Sequence, residues 1–123
     1  MGKIVLVCTG IFTTLFGLGF VIAPHTFYQL YMGADFPSAS AAIDGRADYG
    51  GFSLGIGLFL LYCTKKNVRL GLIAALISLL CIILARLIGM AVEGSPNLYM
   101  YLFLAVESIA LLFTLWALRK TPS

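Results

Sequence analysis

The sequence is poor in charge and in the residues that build metal or redox sites. Only 11% of its 123 residues are charged, and it contains one histidine and three cysteines. So few charges exclude an ordinary soluble domain, and one histidine with scattered cysteines provides no zinc or haem ligand set. It also lacks a phosphate-binding glycine loop, a serine nucleophile elbow and a cysteine placed with a histidine base. We therefore predict no metal and no cofactor, and leave open whether the protein is an enzyme.

Long apolar runs take the place of the missing charge, since 61% of the residues are hydrophobic. Four runs, at 4–22, 43–63, 70–90 and 98–118, have about the 20 residues needed to cross roughly 30 Å of hydrocarbon. Backbone inside a bilayer must satisfy its own hydrogen bonds, so each run is predicted to be a helix. The sequence therefore predicts an all-α integral membrane protein, with residues 1–123 forming one domain of four transmembrane helices.

The basic residues predict how these helices are oriented. Most of them lie before the first run, between the second and third, and after the fourth: Lys3, Lys65, Lys66, Arg69, Arg119 and Lys120. The opposite connections carry acids and no lysine, so we predict that both termini are cytoplasmic. This asymmetry accounts for the net charge of +3, and it gives no support to nucleic-acid binding.

The segment after the first run is predicted to be a short helix in the outer interface of the membrane. Pro24 ends the first helix, and the following "HTFYQLYMG" contains Phe27, Tyr28 and Tyr31. Aromatic rings are enriched at headgroup level, so these three can be simply an aromatic belt. The alternative is that Tyr28 and Tyr31, together with Tyr49, form the rim of a binding site.

The stretch "DGRADYGGFSLGIG" at 44–57 combines charges with glycines at the start of the second helix. Its two acids lie in the first turns, where the positive end of the helix dipole favours them. Gly51, Gly55 and Gly57 are predicted to serve helix packing, since small residues four positions apart let another helix approach closely. A role of these glycines in cradling a ligand is the alternative.

Two charges lie deeper, and they are the strongest functional signal in the sequence. Arg86 lies in the third run and Glu107 near the centre of the fourth, where an unpaired charge costs about 2.5–3.5 kcal/mol or more. We predict that they pair, and that Arg46, Asp48 and Tyr49 join them in an interior polar site in the outer half of the bundle. The alternative is a structural ion pair that sets helix register and binds nothing.

The sequence also carries a family resemblance. "RADYGG", then "GIGLFLL", then "ARLIG" on the next run resemble a bacterial family of small four-helix membrane proteins of unknown function, similar in layout to the DoxX-like group. The residues that carry the likeness are Arg46, Tyr49, Gly50, Gly51, Gly55, Gly57, Arg86 and Gly89. The resemblance implies a four-helix fold in the bacterial inner membrane, and offers an analogy to quinone-linked or redox systems.

Three kinds of function are consistent with these features. The favoured one is a protein, or a subunit of a larger system, that binds a lipophilic or amphipathic molecule of the quinone or lipid type. The second is a small transporter, which would need a homo-oligomer because four helices enclose little space. The third is an intramembrane acid–base enzyme, isomerase-like, with Glu107 or Asp48 as the catalytic group. The predicted partners are the lipid bilayer, such a small molecule, and a second copy or another membrane protein.

Overall fold

The computed structural model describes residues 1–122, and the regular structure in this range is entirely helical. The elements are α1 (Gly2–Ile22), α2 (Pro24–Met32), α3 (Ala39–Gly45), a π-helical segment (Arg46–Phe52), α4 (Ser53–Lys66), α5 (Val68–Glu93) and α6 (Leu98–Lys120). The predicted all-α class is confirmed.

Three helices are long and apolar enough to cross a membrane. They are α1, α5 and α6, with 21, 26 and 23 residues. At 1.5 Å per residue, each reaches the roughly 30 Å thickness of the hydrocarbon core. The chain therefore has the helices of a membrane protein, and the first, third and fourth predicted runs lie within them.

The second predicted run lies in a helical stretch that changes type along its length. Ser38 caps its start, because the Ser38 side chain accepts a hydrogen bond of 3.1 Å from the Ala41 amide. The backbone stays right-handed helical where α3 meets the π-helical segment and where that segment meets α4. A π-helix bonds each residue to one five positions away, so it rotates less per residue than an α-helix. The side-chain faces of residues 39–52 are therefore out of phase with those of α4.

Close packing of α1 against this stretch depends on glycine. A Cβ added at Gly17 would collide with the backbone of Leu54, and one added at Gly57 would collide with the backbone of Thr14. Without side chains at these two positions the helix backbones can touch. The packing that results makes α1 the neighbour of α4, and α1 also contacts α5 and α6.

The buried apolar core lies at one end of the molecule. Leu6, Leu60, Leu72 and Ala117 are almost fully buried and come from four different helices. Both chain termini lie at this end, where Arg69 Nη1 donates a 3.0 Å hydrogen bond to the backbone oxygen of Thr121. The basic residues named above also gather here, and we call it the basic end.

The opposite end carries Asp35, Asp44 and Asp48, and we call it the acidic end. Here α5 is packed more loosely, although Phe20 of α1 is fully buried. No residue of α5 after Ala75 is buried, and Ile82 is 43% exposed. The short helix α2 lies here, held to the start of α6 by a 2.8 Å hydrogen bond from Asn97 Nδ2 to the Tyr31 backbone oxygen. The predicted helix after Pro24 is thus present, and it packs on the other helices near their acidic ends.

Candidate functional site

Arg86 of α5 and Glu107 of α6 form a bidentate ion pair. Arg86 Nε donates to Glu107 Oε1 and Arg86 Nη2 donates to Glu107 Oε2, each over 2.8 Å. The two side chains are 22% and 16% exposed. Parallel hydrogen bonds of this kind are the strongest form of an arginine–carboxylate contact, and they fix the relative position of the two helices.

The remaining surroundings of the Arg86 guanidinium are soft and apolar. Its Nη1 atom has the Met100 sulfur as acceptor at 3.5 Å, and its Cζ atom lies 5.4 Å from the centre of the Phe103 ring. Met100, Phe103 and Glu107 follow one another at helical spacing along α6. Asn97 holds the start of that helix, since its side chain accepts a 3.1 Å hydrogen bond from the Met100 amide. One well-capped helix therefore presents three of the groups around Arg86.

An aromatic cluster adjoins the pair on the side of α1 and α2. Its members are Phe16, Phe20, Phe27, Tyr28, Tyr31, Tyr49, Tyr99 and Phe103. Ring centres lie 5.0 Å apart for Tyr31 and Phe103, and 5.4 Å apart for Phe20 and Tyr49. The cluster joins α1, α2, the π-helical segment and α6, and Phe103 brings it into contact with Arg86. These aromatic pairs stabilise the packing of the acidic end beyond simple burial.

The sequence analysis did not identify this cluster, although a signal for it exists. Phe16 and Phe20 lie four residues apart, as do Phe27 and Tyr31, and also Tyr99 and Phe103. Each pair therefore lies on one face of its helix. Such pairs do not reveal which faces meet, and for Tyr28 and Tyr31 the sequence favoured an aromatic belt, with the rim of a site as the alternative.

The structure joins the predicted site residues only in part. Arg86 and Glu107 are in direct contact, and Tyr49 reaches the same region through Phe20. Arg46 and Asp48 are exposed, and within residues 1–122 neither takes part in an ion pair. Both belong to the π-helical segment, whose altered rotation changes the direction of every side chain in it. An α-helical wheel drawn on the sequence cannot anticipate that.

Asp48 lines a separate pocket at the acidic end, with a volume of about 420 Å³. The residues that line it are Tyr28, Phe36, Pro37, Ala41, Asp44, Gly45, Asp48 and Tyr49. Phe36 stacks on Tyr28 with the ring centres 3.9 Å apart. The pocket is thus lined by rings and two carboxylates, and it shares Tyr28 and Tyr49 with the aromatic cluster.

The three glycines predicted to serve packing lie in two different environments. Gly57 is buried against α1, as described above. Gly51 and Gly55 are exposed, and a Cβ at either would meet no atom within 4 Å. If these two glycines serve packing, the partner helix belongs to another molecule.

Next to the pocket that Phe36 and Asp48 line, a short polar contact holds the loop between α2 and α3. His25 Nδ1 and Asp35 Oδ1 are 2.7 Å apart, and the Asp35 carboxylate also accepts a 2.8 Å hydrogen bond from the Phe36 amide. The hydrogen bond with His25 lowers the pKa of Asp35 below its ordinary value, and the Phe36 amide acts in the same direction. The contact stabilises the loop conformation that places Phe36 on Tyr28.

Comparison with known proteins places the chain in a family without assigning an activity. The sequence matches the family described as a domain of unknown function, DUF4345, over residues 1–118. The chain therefore belongs to this family. No curated protein and no solved structure shows significant similarity to it. The likeness to the DoxX-like group remains a prediction from the sequence motifs.

Proposed function

We propose that this member of the DUF4345 family is a membrane protein of four transmembrane helices that binds a lipophilic or amphipathic molecule. The molecule, of the quinone or lipid type, would lie in the half of the bundle nearest the acidic end. The observation that carries this proposal is the largely buried Arg86–Glu107 pair beside the aromatic cluster. The proposal includes action as a subunit of a larger system, and the binding site is the part of it that can be tested on the chain itself.

The proposed membrane arrangement uses the whole chain as one domain. The spans are α1, the helical stretch 39–66, α5 and α6. Both termini and the basic end face the cytoplasm, because positively charged segments are retained on that side. Helix α2, with its tyrosines, lies in the outer interface. The family resemblance of the sequence motifs adds the bacterial inner membrane as the location.

The state of the ion pair supports a binding role. In a bilayer, ionisable side chains are costly, and they usually line a pathway or a pocket. Arg86 and Glu107 keep 22% and 16% of their side-chain surfaces accessible. Arg86 also lies in the part of α5 after Ala75, where no residue of that helix is buried. A molecule that enters from the lipid therefore has a route to the pair along α5.

The aromatic cluster supports the lipophilic character of that molecule. Binding sites for small molecules are mostly apolar and aromatic, with a few polar groups that fix orientation. Here Phe103 and Tyr31 supply ring surface, and the ion pair supplies the polar groups. An extended apolar body with one polar group matches this combination.

The other candidate functions have weaker support. Both oxygens of Glu107 accept hydrogen bonds from Arg86, which leaves this carboxylate poorly placed to take a proton from a substrate. A small transporter would require an oligomer, for which the open face at Gly51 and Gly55 is the candidate contact. We propose neither as the primary function.

Native mass spectrometry of the protein released from lipid nanodiscs tests the proposal. We expect a discrete small-molecule adduct on the wild type that is absent from the double variant Arg86→Met/Glu107→Leu, which removes both charges together. Arg119→Ala, an exposed arginine at the basic end, is the matched control and should keep the adduct. A wild type without an adduct, or a folded double variant that keeps it, would contradict the proposed function.

A further inference from the structure

We propose that the polar group of this ligand is an uncharged oxygen acceptor, such as a carbonyl, which binds Arg86 Nη1 in place of the Met100 sulfur. The inference rests on the proposed function and names the ligand chemistry of that same site. It follows from the hydrogen-bond donors that Arg86 leaves uncommitted, from the charge of the pair and from the nature of Met100.

The donors of Arg86 are only partly satisfied within the protein. A guanidinium carries five N–H groups, and two of them are directed to the Glu107 oxygens over 2.8 Å. The contact of Nη1 is with the Met100 sulfur at 3.5 Å, and a thioether is a weak acceptor. Donors without a good acceptor are costly in an apolar environment. An oxygen atom placed at Nη1 would therefore be strongly favoured over the sulfur.

The charge of the pair selects against ions. Arg86 and Glu107 neutralise each other, and both carboxylate oxygens are already engaged. An anionic group that reached Arg86 would be repelled by Glu107, and a cationic group would be repelled by the guanidinium. Phe103 covers one side of the guanidinium, with its ring centre 5.4 Å from Cζ. A neutral acceptor that approaches the Nη1 edge avoids both repulsions and the ring.

Met100 is suited to give way to such a group. Its side chain is unbranched and flexible, so the sulfur can leave Nη1 by rotation without movement of the backbone. The Met100 backbone stays in place because its amide is bonded to the Asn97 side chain. The sulfur thus occupies the acceptor position weakly, and an oxygen can displace it.

Two kinds of lipophilic molecule carry this acceptor, namely a quinone-type ring with ring carbonyls and a bilayer lipid with ester carbonyls. Infrared spectroscopy in nanodiscs separates them. One sample contains ether-linked phospholipid, which lacks ester carbonyls, together with a ¹³C-carbonyl-labelled decylbenzoquinone. The other contains diacyl phospholipid labelled with ¹³C at the ester carbonyls and no quinone. We expect a labelled carbonyl band at lowered frequency in one sample, which identifies the source.

Three variants connect that band to the proposed contact. Arg86→Lys keeps the charge but has no planar fork to serve both Glu107 and a ligand, so the shifted band should disappear. Met100→Leu removes the competing sulfur, so the band should remain and the probe should bind about two- to fivefold more tightly. Arg119→Ala, at the basic end and remote from this site, is the control and should change neither result.

The outcomes separate this inference from the proposed function. A mass-spectrometric adduct together with no shifted carbonyl band in either sample would overturn the inference and leave the proposed function standing. A wild type that shows no adduct would overturn both the inference and the proposed function. Should Arg86→Lys fail to fold, Met100→Leu decides alone, and weaker or unchanged binding in that variant overturns the inference.

Discussion

At the scale of single residues, the Arg86–Glu107 pair has two proposed roles: it joins α5 to α6, and it binds the ligand. Removal of one partner leaves the other charge without compensation, whereas removal of both leaves an apolar contact. The structural role and the binding role can be separated by measuring the free energy of unfolding and ligand binding on the same variants.

We expect Arg86→Met and Glu107→Leu each to lower the free energy of unfolding by up to about 3–5 kcal/mol, the range found when one member of a buried pair is removed. The double variant should recover most of that loss, giving a large coupling energy. Unfolding in mixed micelles, followed by circular dichroism, measures the three values. Additive losses in the double variant would show that the two side chains do not act as a pair.

A second prediction at this scale concerns the His25–Asp35 contact. The hydrogen bond with His25 lowers the pKa of Asp35 in the folded protein below its ordinary value of 3.8. The stabilisation of the folded loop by the ionised Asp35 is therefore fully present above pH 3.8. It is lost as the pH falls through the lower pKa of the folded state. Hydrogen exchange at the Phe36 amide, which is bonded to Asp35, should therefore become less protected at acidic pH.

Asp35→Asn provides the control for this pH effect. The amide oxygen can still accept hydrogen bonds but does not titrate over this range. Protection of the Phe36 amide in this variant should be independent of pH after correction for the intrinsic exchange rate. A variant with the same pH dependence as the wild type would assign the effect to another group.

At the scale of elements, the contact between α1 and α4 depends on the absence of side chains at particular positions. Gly57 lies against the Thr14 backbone, whereas Gly55, two residues earlier on the same helix, faces open space. The two positions therefore allow a matched comparison within one helix.

Gly57→Ala should destabilise the protein by about 1–3 kcal/mol, because its Cβ forces the two helices apart. Gly55→Ala should be neutral or stabilising by up to about 1 kcal/mol, since alanine favours a helix more than glycine does. Thermal unfolding in detergent compares them. Equal destabilisation by both would indicate that Gly55 also packs against a helix, in a second copy of the chain.

The π-helical segment is the second feature at this scale. It contains Arg46, Asp48 and Tyr49, three of the residues that the sequence analysis assigned to the interior site. Because this segment rotates less per residue than an α-helix, Tyr49 is directed to Phe20, and Arg46 and Asp48 remain exposed. Asp48 contributes instead to the pocket near Phe36. The charges in this segment thus belong to the surface of the acidic end.

At the scale of the whole molecule, charge separates the two ends. The termini and the turn between α4 and α5 share the basic end, and the loop that contains Asp35 lies at the other. Both termini at one end require an even number of crossings, which agrees with the proposed four spans.

Reporter fusions test this topology. Green fluorescent protein fused after residue 120 should fluoresce, because it folds in the cytoplasm, whereas alkaline phosphatase inserted at 94–96 should be active outside it. A dark fusion after residue 120 together with an inactive phosphatase at 94–96 would contradict cytoplasmic termini. A fluorescent fusion after residue 120 together with an inactive phosphatase at 94–96 would contradict a crossing by α6. A phosphatase fusion after residue 120 serves as the control and should be inactive.

Features that depend on local composition could be predicted from the amino-acid order alone. Apolar runs of span length make α1, α5 and α6 helical, since a chain in lipid must bond its backbone internally. Pro24 was predicted to end the first helix, and α1 ends just before it, while Pro24 itself begins α2 with its preset backbone angle. Ser38 marks the next helix start, because it supplies an acceptor for a free amide. The depth of Arg86 and Glu107 in apolar runs made a pair the expected solution, and they do pair.

Which helix faces meet depends on the packing of the whole chain and could not be predicted. The aromatic cluster requires α2 to fold back over α1 and α6, and no local pattern in the chain specifies that packing. The π-helical segment likewise changes the rotation of residues 46–52, which moves Asp48 away from its predicted neighbours. Helix propensity and hydrophobicity act within a segment, whereas these contacts depend on how segments fit together. The polar pair was therefore readable from the sequence, and its aromatic surroundings were not.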